Sequence, residues 1–267
     1  MTFADYRAIR AMNWSTLKNG IKSMRHLHHA LTTTDDGDTS SRQMLRLNHA
    51  AVLEPHTLDT DYVVFDGAVR RGKEWEAFKA AHPSAQIVKA EELARARRVA
   101  DAVMSYAPAR TLIESAQCEH TIQWTDPETG VACKGRLDVL GQGTYIADLK
   151  GDKSTDAFAF ARRVGSLTYY GQAAWYQIGC EVLYGDVLPA YNIVYEVDEP
   201  HDVAVFRVDN DWIQPGRDLA RRLLREYGEC VNSGRWPGRY DSVQPLPSPP
   251  SYINPNVDDY AVEVIED

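Results

Sequence analysis

None of the four cysteines (Cys118, Cys133, Cys180 and Cys230) stands in a C-x-x-C pair. Their spacing supports neither a zinc ribbon nor an iron–sulfur cluster, so they are expected to be buried, reduced thiols. Long apolar runs are also missing: none approaches the length of a membrane span. The opening Met1-Thr2-Phe3-Ala4-Asp5 lacks the pattern of a signal peptide, and a cytoplasmic protein is the expectation. No internal repeat is visible. Positive charge is short, with 29 Lys and Arg against 38 Asp and Glu and a net charge of −9. That balance argues against a generic nucleic-acid coat, though not against an enzyme with a local basic channel. Lysine is the scarcer base: eight residues, leaving 29 − 8 = 21 arginines. Arginine is the better bidentate phosphate ligand. Arg70-Arg71, Arg95, Arg97-Arg98 and Arg162-Arg163 form local clusters, most of which read as solvated helix faces.

What is present centres on two short stretches. Gly135-Arg136-Leu137-Asp138 is followed, after a turn, by Ile146-Ala147-Asp148-Leu149-Lys150, the only Asp/Glu-x-Lys triplet in the chain. The two acids are ten positions apart (148 − 138). Lys150 is two positions beyond Asp148, so in a strand both project from one face. Each acid lies among apolar strand residues, where an ionised group needs a partner or a metal. A divalent cation accounts for the grouping: the carboxylates bind it and the lysine orients or deprotonates a water beside it. This is the minimal equipment for metal-dependent phosphodiester hydrolysis. The competing reading is a surface hairpin with ordinary charges. His49 offers an imidazole as an extra ligand, against the commoner role of a satisfied histidine. Glu119 reads equally as a site residue or a solvent-facing one. Gln172 and Tyr176 are four apart and share one helix face, from which they could meet a phosphate or hold the lysine.

The coarse pattern is α/β. Ser15 is expected to cap a helix reaching about Ala30, and 32–41 reads as a polar loop. Helices are expected over Arg42–Leu53, Glu74–Ala81 and from Ala90 to Tyr106, the last continuing towards Leu112. A strand is expected over Asp61–Phe65. The centre turns to a three-stranded antiparallel meander, Glu119–Thr125, Val131–Leu140 and Thr144–Lys150. Helices over Thr155–Val164 and Leu167–Tyr184 follow, then strands Leu188–Val197 and Val203–Val208, and a helix Asn210–Ser233. Residues 1–240 are expected to form one domain: a central mixed sheet carrying the meander, flanked by helices, with 13–40 as a helical N-terminal part and mobile loop. Residues 241–267, proline-rich and then acidic, read as an extended or disordered tail.

Taken in order, His49, Glu119, GRLD ending at Asp138, Asp148-Leu149-Lys150 and Gln172-x-x-x-Tyr176 resemble the PD-(D/E)XK nuclease superfamily. Within it they are most similar to the exodeoxyribonuclease VIII (RecE-type) and phage exonuclease branch. Trp14-Ser15-Thr16-Leu17-Lys18 with Ser23, His49-Ala50-Ala51-Val52-Leu53-Glu54-Pro55 and Gly234-Arg235-Trp236-Pro237-Gly238 resemble further elements of that family. The resemblance spans about residues 13–240. Two departures are plain: Arg46-Leu47-Asn48 replaces a glycine-containing stretch, and Asp148 stands where glutamate is usual.

The resemblance implies that Asp138, Asp148 and the Leu149 carbonyl ligate Mg²⁺ or Mn²⁺. It makes His49 a further ligand, Glu119 a ligand or supporting group, and Lys150 the group acting on the water. Gln172, Tyr176 and Arg136 would support the site or touch DNA. Ser15, Lys18 and Arg25 are candidates, on position, for a 5′-phosphate pocket. The implied activity is degradation of linear double-stranded DNA from the 5′ end. Implied partners are double-stranded DNA ends, a single-strand annealing protein of the RecT type and further copies of the chain. Alternatives are a non-catalytic DNA-end-binding scaffold, an iron–sulfur nuclease of the CRISPR-associated type and a restriction-like endonuclease.

Overall fold

The structure is a computed structural model and describes residues 3–33 and 39–246. In chain order the helices are α1 (Phe3–Ala8), α2 (Trp14–Leu17), α3 (Met24–Thr32), α4 (Ser40–Leu53), α5 (Leu58–Asp61), α6 (Gly72–Ala81), α7 (Ala90–Ser105), α8 (Ala107–Ile113), α9 (Ala157–Ser166), α10 (Tyr169–Tyr184) and α11 (Asn210–Ser233). The strands are β1 (Tyr62–Val64), β2 (Gln86–Val88), β3 (Gln117–Thr125), β4 (Ala132–Gly141), β5 (Tyr145–Asp152), β6 (Ala190–Glu196) and β7 (Val203–Val208).

Strands β3 to β7 form one sheet in sequence order. Every neighbouring pair is antiparallel except β5 and β6, which are parallel, so the sheet is mixed. A parallel pair needs a long crossover, and α9 and α10 supply it. The sheet is packed into two separate cores. Ile122, Trp124, Leu137 and Ile146 pack with Trp175 and Ile178 of α10 and Leu223 and Leu224 of α11. Val139, Ala147, Leu149, Ile193 and Tyr195 face Val52 and Leu53 of α4, Val99 and Val103 of α7, and Ile113 of α8. The result is a three-layer α/β/α arrangement, the α/β class expected from the sequence. A separate two-stranded parallel sheet, β1 with β2, lies beside α4.

Three local expectations are corrected. The helix expected from Ser15 to Ala30 is instead α2, a 3₁₀ turn over Lys18–Ile21, and α3. Asn13 is the cap of α2: its Oδ1 accepts from the Thr16 N–H at 2.9 Å, and Ser15 donates its hydroxyl to the same oxygen at 2.8 Å. A second cap, Ser23, accepts from the His26 N–H at 3.3 Å and starts α3, because a serine hydroxyl offers the backbone an alternative to helix continuation. The helix expected to run from Ala90 towards Leu112 breaks at Tyr106, whose backbone is extended. Pro108 has no N–H to continue the ladder, and the chain restarts as α8. Strand β2 was not foreseen, being three residues long with no alternation to read. The loop expected over 32–41 is bounded by Thr32, the last residue of α3, and Ser40, the first of α4; residues 34–38 lie outside the described part. So does the expected tail from 247 onward, while 241–246 are irregular and exposed.

Close approach of α10 and α11 is set by small residues. A Cβ on Gly216 would lie 2.6 Å from the Tyr170 carbonyl oxygen, and one on Gly171 would lie 2.0 Å from the Trp14 ring. Further along α11 a Cβ on Gly228 would meet nothing within 4 Å. The two glycines of α11 should therefore respond oppositely to alanine. Gly216→Ala is expected to lose roughly 1–3 kcal/mol through overpacking against backbone that cannot retreat. Gly228→Ala is expected to gain up to about 1 kcal/mol from helix propensity. Thermal or urea denaturation of the two variants checks the signs, and equal shifts would refute the packing argument.

Candidate active site

Paired positions on β4 and β5 run from Gly141↔Tyr145 to Val139↔Ala147 and stop there. Continuing that register sets Asp138 opposite Asp148. On the other side, Cys118↔Val139 and His120↔Leu137 flank a missing pair, Glu119 with Asp138. Glu119 has φ +52°, a left-handed conformation that costs a non-glycine residue energy and recurs at functional sites. Three carboxylates on three adjacent strands thus meet where the ladders open. The Asp138 carboxylate fills part of the gap, its Oδ2 accepting from the Leu149 N–H at 2.8 Å.

Helix α4 brings the imidazole. His49 Nδ1 lies 3.8 Å from Asp138 Oδ2 and 4.0 Å from Glu119 Oε1, and the ring hydrogen-bonds to the Leu149 backbone. The helix is fixed by Leu47, Ala51, Val52 and Leu53 in the core, and by Asn48, which donates to the Tyr195 hydroxyl at 3.2 Å. Burial lowers the His49 pKa despite the pull of Glu119 and Asp148. A neutral imidazole is the form that binds metal.

Helix α10 brings an amide that ties the other half together. Gln172 Oε1 accepts from Lys150 Nζ at 2.9 Å, while its Nε2 donates to Asp148 Oδ1 at 3.1 Å and to the Tyr176 hydroxyl at 3.0 Å. Lys150 is ion-paired with Asp148 and lies over the Tyr169 ring, 4.4 Å from its centroid. Burial pushes the Lys150 pKa down, but Asp148 and Asp138 outweigh it and the net shift is upward. The ammonium is therefore held charged, suited to orienting a water or a phosphate oxygen. Burial, with Asp148 and Asp138 beside it, raises the Tyr176 pKa well above normal and keeps the phenol neutral.

Arg136 is buried. Its Nε donates to Glu119 Oε2 at 2.5 Å, and its guanidinium lies 3.8 Å from Glu54 Oε2. It supports the site from within the fold rather than offering itself to DNA. Lys18 is close enough to Lys150 that, after burial, the second charge contributes to lowering its pKa. Ser15 donates its hydroxyl to Asn13, the cap of α2, and makes no contact with the acids among its hydrogen bonds. Two contributors went unassigned in the sequence: Glu54, legible in Leu53-Glu54-Pro55, and Tyr169, which no spacing marked.

His49, Glu119 and Asp138 present one donor atom each within 4.8 Å of one another, the only such group of His, Cys, Asp or Glu among the described residues. Asp148, expected as a ligand, lies beside this group and makes contacts with Lys150 and Gln172. The cysteines form no cluster, which removes the ligand set an iron–sulfur nuclease needs. An imidazole with carboxylate oxygens suits a divalent cation. The electrostatics agree. Arg136 compensates Glu119 and Lys150 compensates Asp148, whereas Asp138 is left with a backbone N–H. Burial first, then Asp148 and Glu119, raise its pKa well above the carboxylate range. The residues present therefore fit a cation.

A mixed sheet with two acids and a lysine at its opened centre defines a PDDEXK-like α/β domain. The chain belongs to the family described as PDDEXK-like domain of unknown function (DUF3799), whose model matches residues 13–246. Among solved structures it resembles a candidate exonuclease from Eubacterium rectale, at 14% identity over 96% of this chain and 99% of that one, with a TM-score of 0.61. An alkaline exonuclease from Laribacter hongkongensis matches at 14% identity over 71% of this chain and 97% of that one, with a TM-score of only 0.29. No curated protein sequence matches. No helix among the described residues is long and apolar enough to cross a membrane.

The raised pKa of Asp138 has a definite sign. The folded state holds that proton more tightly than the unfolded state, so its stabilising contribution is present below the unfolded pKa and is lost as pH rises through the folded value. At neutral pH without a cation the ionised carboxylate is a burden. In EDTA, Asp138→Asn should therefore melt higher than wild type. Mn²⁺ should raise the wild-type Tm and leave the variant unmoved. A variant that melts lower in EDTA, or that responds equally to Mn²⁺, would refute this account.

Proposed function

We propose that this chain is a divalent-metal-dependent exodeoxyribonuclease that degrades linear double-stranded DNA, most simply from 5′ to 3′. The observation that carries the reading is the convergence of His49, Glu119 and Asp138 beside the Asp148–Lys150–Gln172 clasp. A bound Mg²⁺ or Mn²⁺ would be held by those three residues, with Asp148 and the Leu149 carbonyl available nearby, and would supply Lewis acidity to the scissile phosphate and acidity to a water. Lys150 holds that water or a phosphate oxygen with a fixed positive charge. Gln172 keeps Lys150 and Asp148 in one geometry, and neutral Tyr176 keeps Gln172 in its rotamer.

Charge segregation supports DNA as the substrate. Residues 6–33 contain Arg7, Arg10, Lys18, Lys22 and Arg25 and no acid, and residues 230–240 contain Arg235 and Arg239 and no acid. The two segments are joined: the Arg25 N–H donates to the Pro237 carbonyl at 2.9 Å, Arg239 donates to the Lys22 carbonyl at 3.2 Å, and His28 packs at a tilt against Trp236 with ring centroids 4.5 Å apart. In a protein of net charge −9 this face adjoins Lys150 through Lys18. Phosphate contacts made here position a strand without reading its sequence. Membership of the RecE-type branch, an oligomeric state, a RecT-type annealing partner and a role in cytoplasmic, phage-type recombination belong to the same proposal.

Digestion of linear 5′-phosphorylated duplex against closed circular duplex, in Mg²⁺ or EDTA, tests it. Wild type is expected to consume only the linear DNA, and only with Mg²⁺. Lys150→Ala and Asp148→Ala are each expected to lose at least about a hundredfold in rate while remaining folded. Undiminished cleavage by either variant would sink the site assignment, cutting of circles would make the protein an endonuclease, and binding of ends without product would make it a scaffold.

A further inference from the structure

The pairing of β4 with β5 stops at Val139↔Ala147, which leaves the first half of β4 with one edge vacated by β5. Strand β3 occupies the other edge, with Trp124 opposite Cys133. The N-terminal segment takes the vacated edge. Met12 bridges to Cys133: its N–H donates to the Ala132 carbonyl at 2.8 Å, and its carbonyl accepts from the Lys134 N–H at 2.7 Å.

The Lys134 side chain is buried and reaches the same segment. Its Nζ donates to the Tyr6 and Ile9 carbonyls, each at 2.8 Å, and lies 4.6 Å from the centroid of the Tyr6 ring. Those carbonyls stand at the C-terminal end of α1, where backbone acceptors lack partners within the helix and a cation suits the helix dipole. A buried lysine ordinarily pairs with an acid. Here the ammonium meets two carbonyls and a ring, and with the two Met12 bonds it fixes residues 6–12 on the edge of β4.

Helix α1 is thereby set against both halves of the site. The Tyr6 phenol is within electrostatic reach of Arg136, which holds Glu119, and of Tyr176, which is bonded to Gln172. Arg7 comes next and is near enough to Lys134 to repel its ammonium. Arg7 and Arg10 are exposed, and neither has an acid partner among the described residues. Asp5, at the other end, is the one acid of α1. Cations gathered at the end of one short helix raise its energy until an anion joins them.

We propose that α1 is a phosphate-holding wall of the catalytic cleft, with Arg7 and Arg10 gripping the DNA strand and buried Lys134 as the positioning residue that fastens them beside the acids. The choice of ligand deepens the nuclease reading and rests on it; the fastening of α1 by Lys134 does not.

Binding of a linear 5′-phosphorylated duplex in EDTA, measured over a range of salt, tests this without cleavage. The Arg7→Ala/Arg10→Ala double variant should bind at least about tenfold more weakly than wild type at low salt and lose about two units from the slope of log K against log salt. Lys134→Met keeps a buried aliphatic chain without the ammonium, and should lose the same slope with both arginines present. Added to the double variant it should change nothing further, because a positioning residue acts only through the groups it positions. Loss of folded protein alone would lower binding equally at every salt and leave the slope intact. If Lys134→Met proves unfolded by circular dichroism, Ala8→Pro decides the matter: Ala8 is exposed, and proline there breaks the last turn of α1 without entering the core. A wild-type slope in the double variant, or in folded Lys134→Met or Ala8→Pro, overturns the proposal, and additive losses overturn the role of Lys134. Trypsin gives a readout free of DNA. Folded Lys134→Met, or Ala8→Pro in its place, should be cut after Arg7 or Arg10 at least about tenfold faster than wild type, and equal rates overturn the fastening. Digestion of linear DNA with Mg²⁺ is scored separately. Cleavage by wild type with the full slope in the variants sinks the role of α1 and spares the nuclease. Faster tryptic cutting in the variant, with no DNA bound or cut by wild type, sinks the nuclease reading and leaves the fastening standing.

Discussion

Three carboxylates held side by side in the middle of a sheet are the constraint to which the surrounding structure answers. Glu119, Asp138 and Asp148 sit on neighbouring strands at the point where both ladders open. Like charges at that spacing repel strongly once water is excluded. Arg136 is turned inward to Glu119, Lys150 to Asp148, and the Leu149 N–H to Asp138. The compensation is incomplete at Asp138. That shortfall is one that a bound cation would relieve.

The helices on the two faces each deliver one half of this arrangement. Helix α4 is locked into the second core and carries His49 to Asp138 and Glu119. Helix α10 carries Gln172 and Tyr176 to Asp148 and Lys150, and is anchored by Trp175, whose ring N–H donates to the Lys134 carbonyl of β4 at 3.0 Å. Its small residues let α11 and Trp14 approach closely, so α10 has little freedom to shift along the sheet. Rigid packing of this kind is what a site needs if side chains are to hold their geometry without substrate.

The surroundings are asymmetric. On the Lys150 side the acid-free segments 6–33 and 230–240 form a basic face. On the His49 side an aromatic, amide-lined cavity follows α4.

Much of this was legible in the chain itself. Period-two spacing placed Asp148 and Lys150 on one face, since alternation is a local property of any strand. The α/β class followed from local patterning, as did most long elements, including Asn210–Ser233 to the residue. Local chemistry also misled: Ser15 carries a hydroxyl suited to a cap, yet Asn13, two residues earlier, makes it, and Pro108 broke a helix that periodicity alone would have continued. Only the tertiary structure decided the partners. Whether Arg136 faces solvent or Glu119, which groups clasp Asp148, and whether Tyr62 and Trp75 share a cavity all depend on register and packing between segments far apart in sequence. The residue types fix which chemistry is possible; the opened ladders and the two anchored helices decide which groups meet.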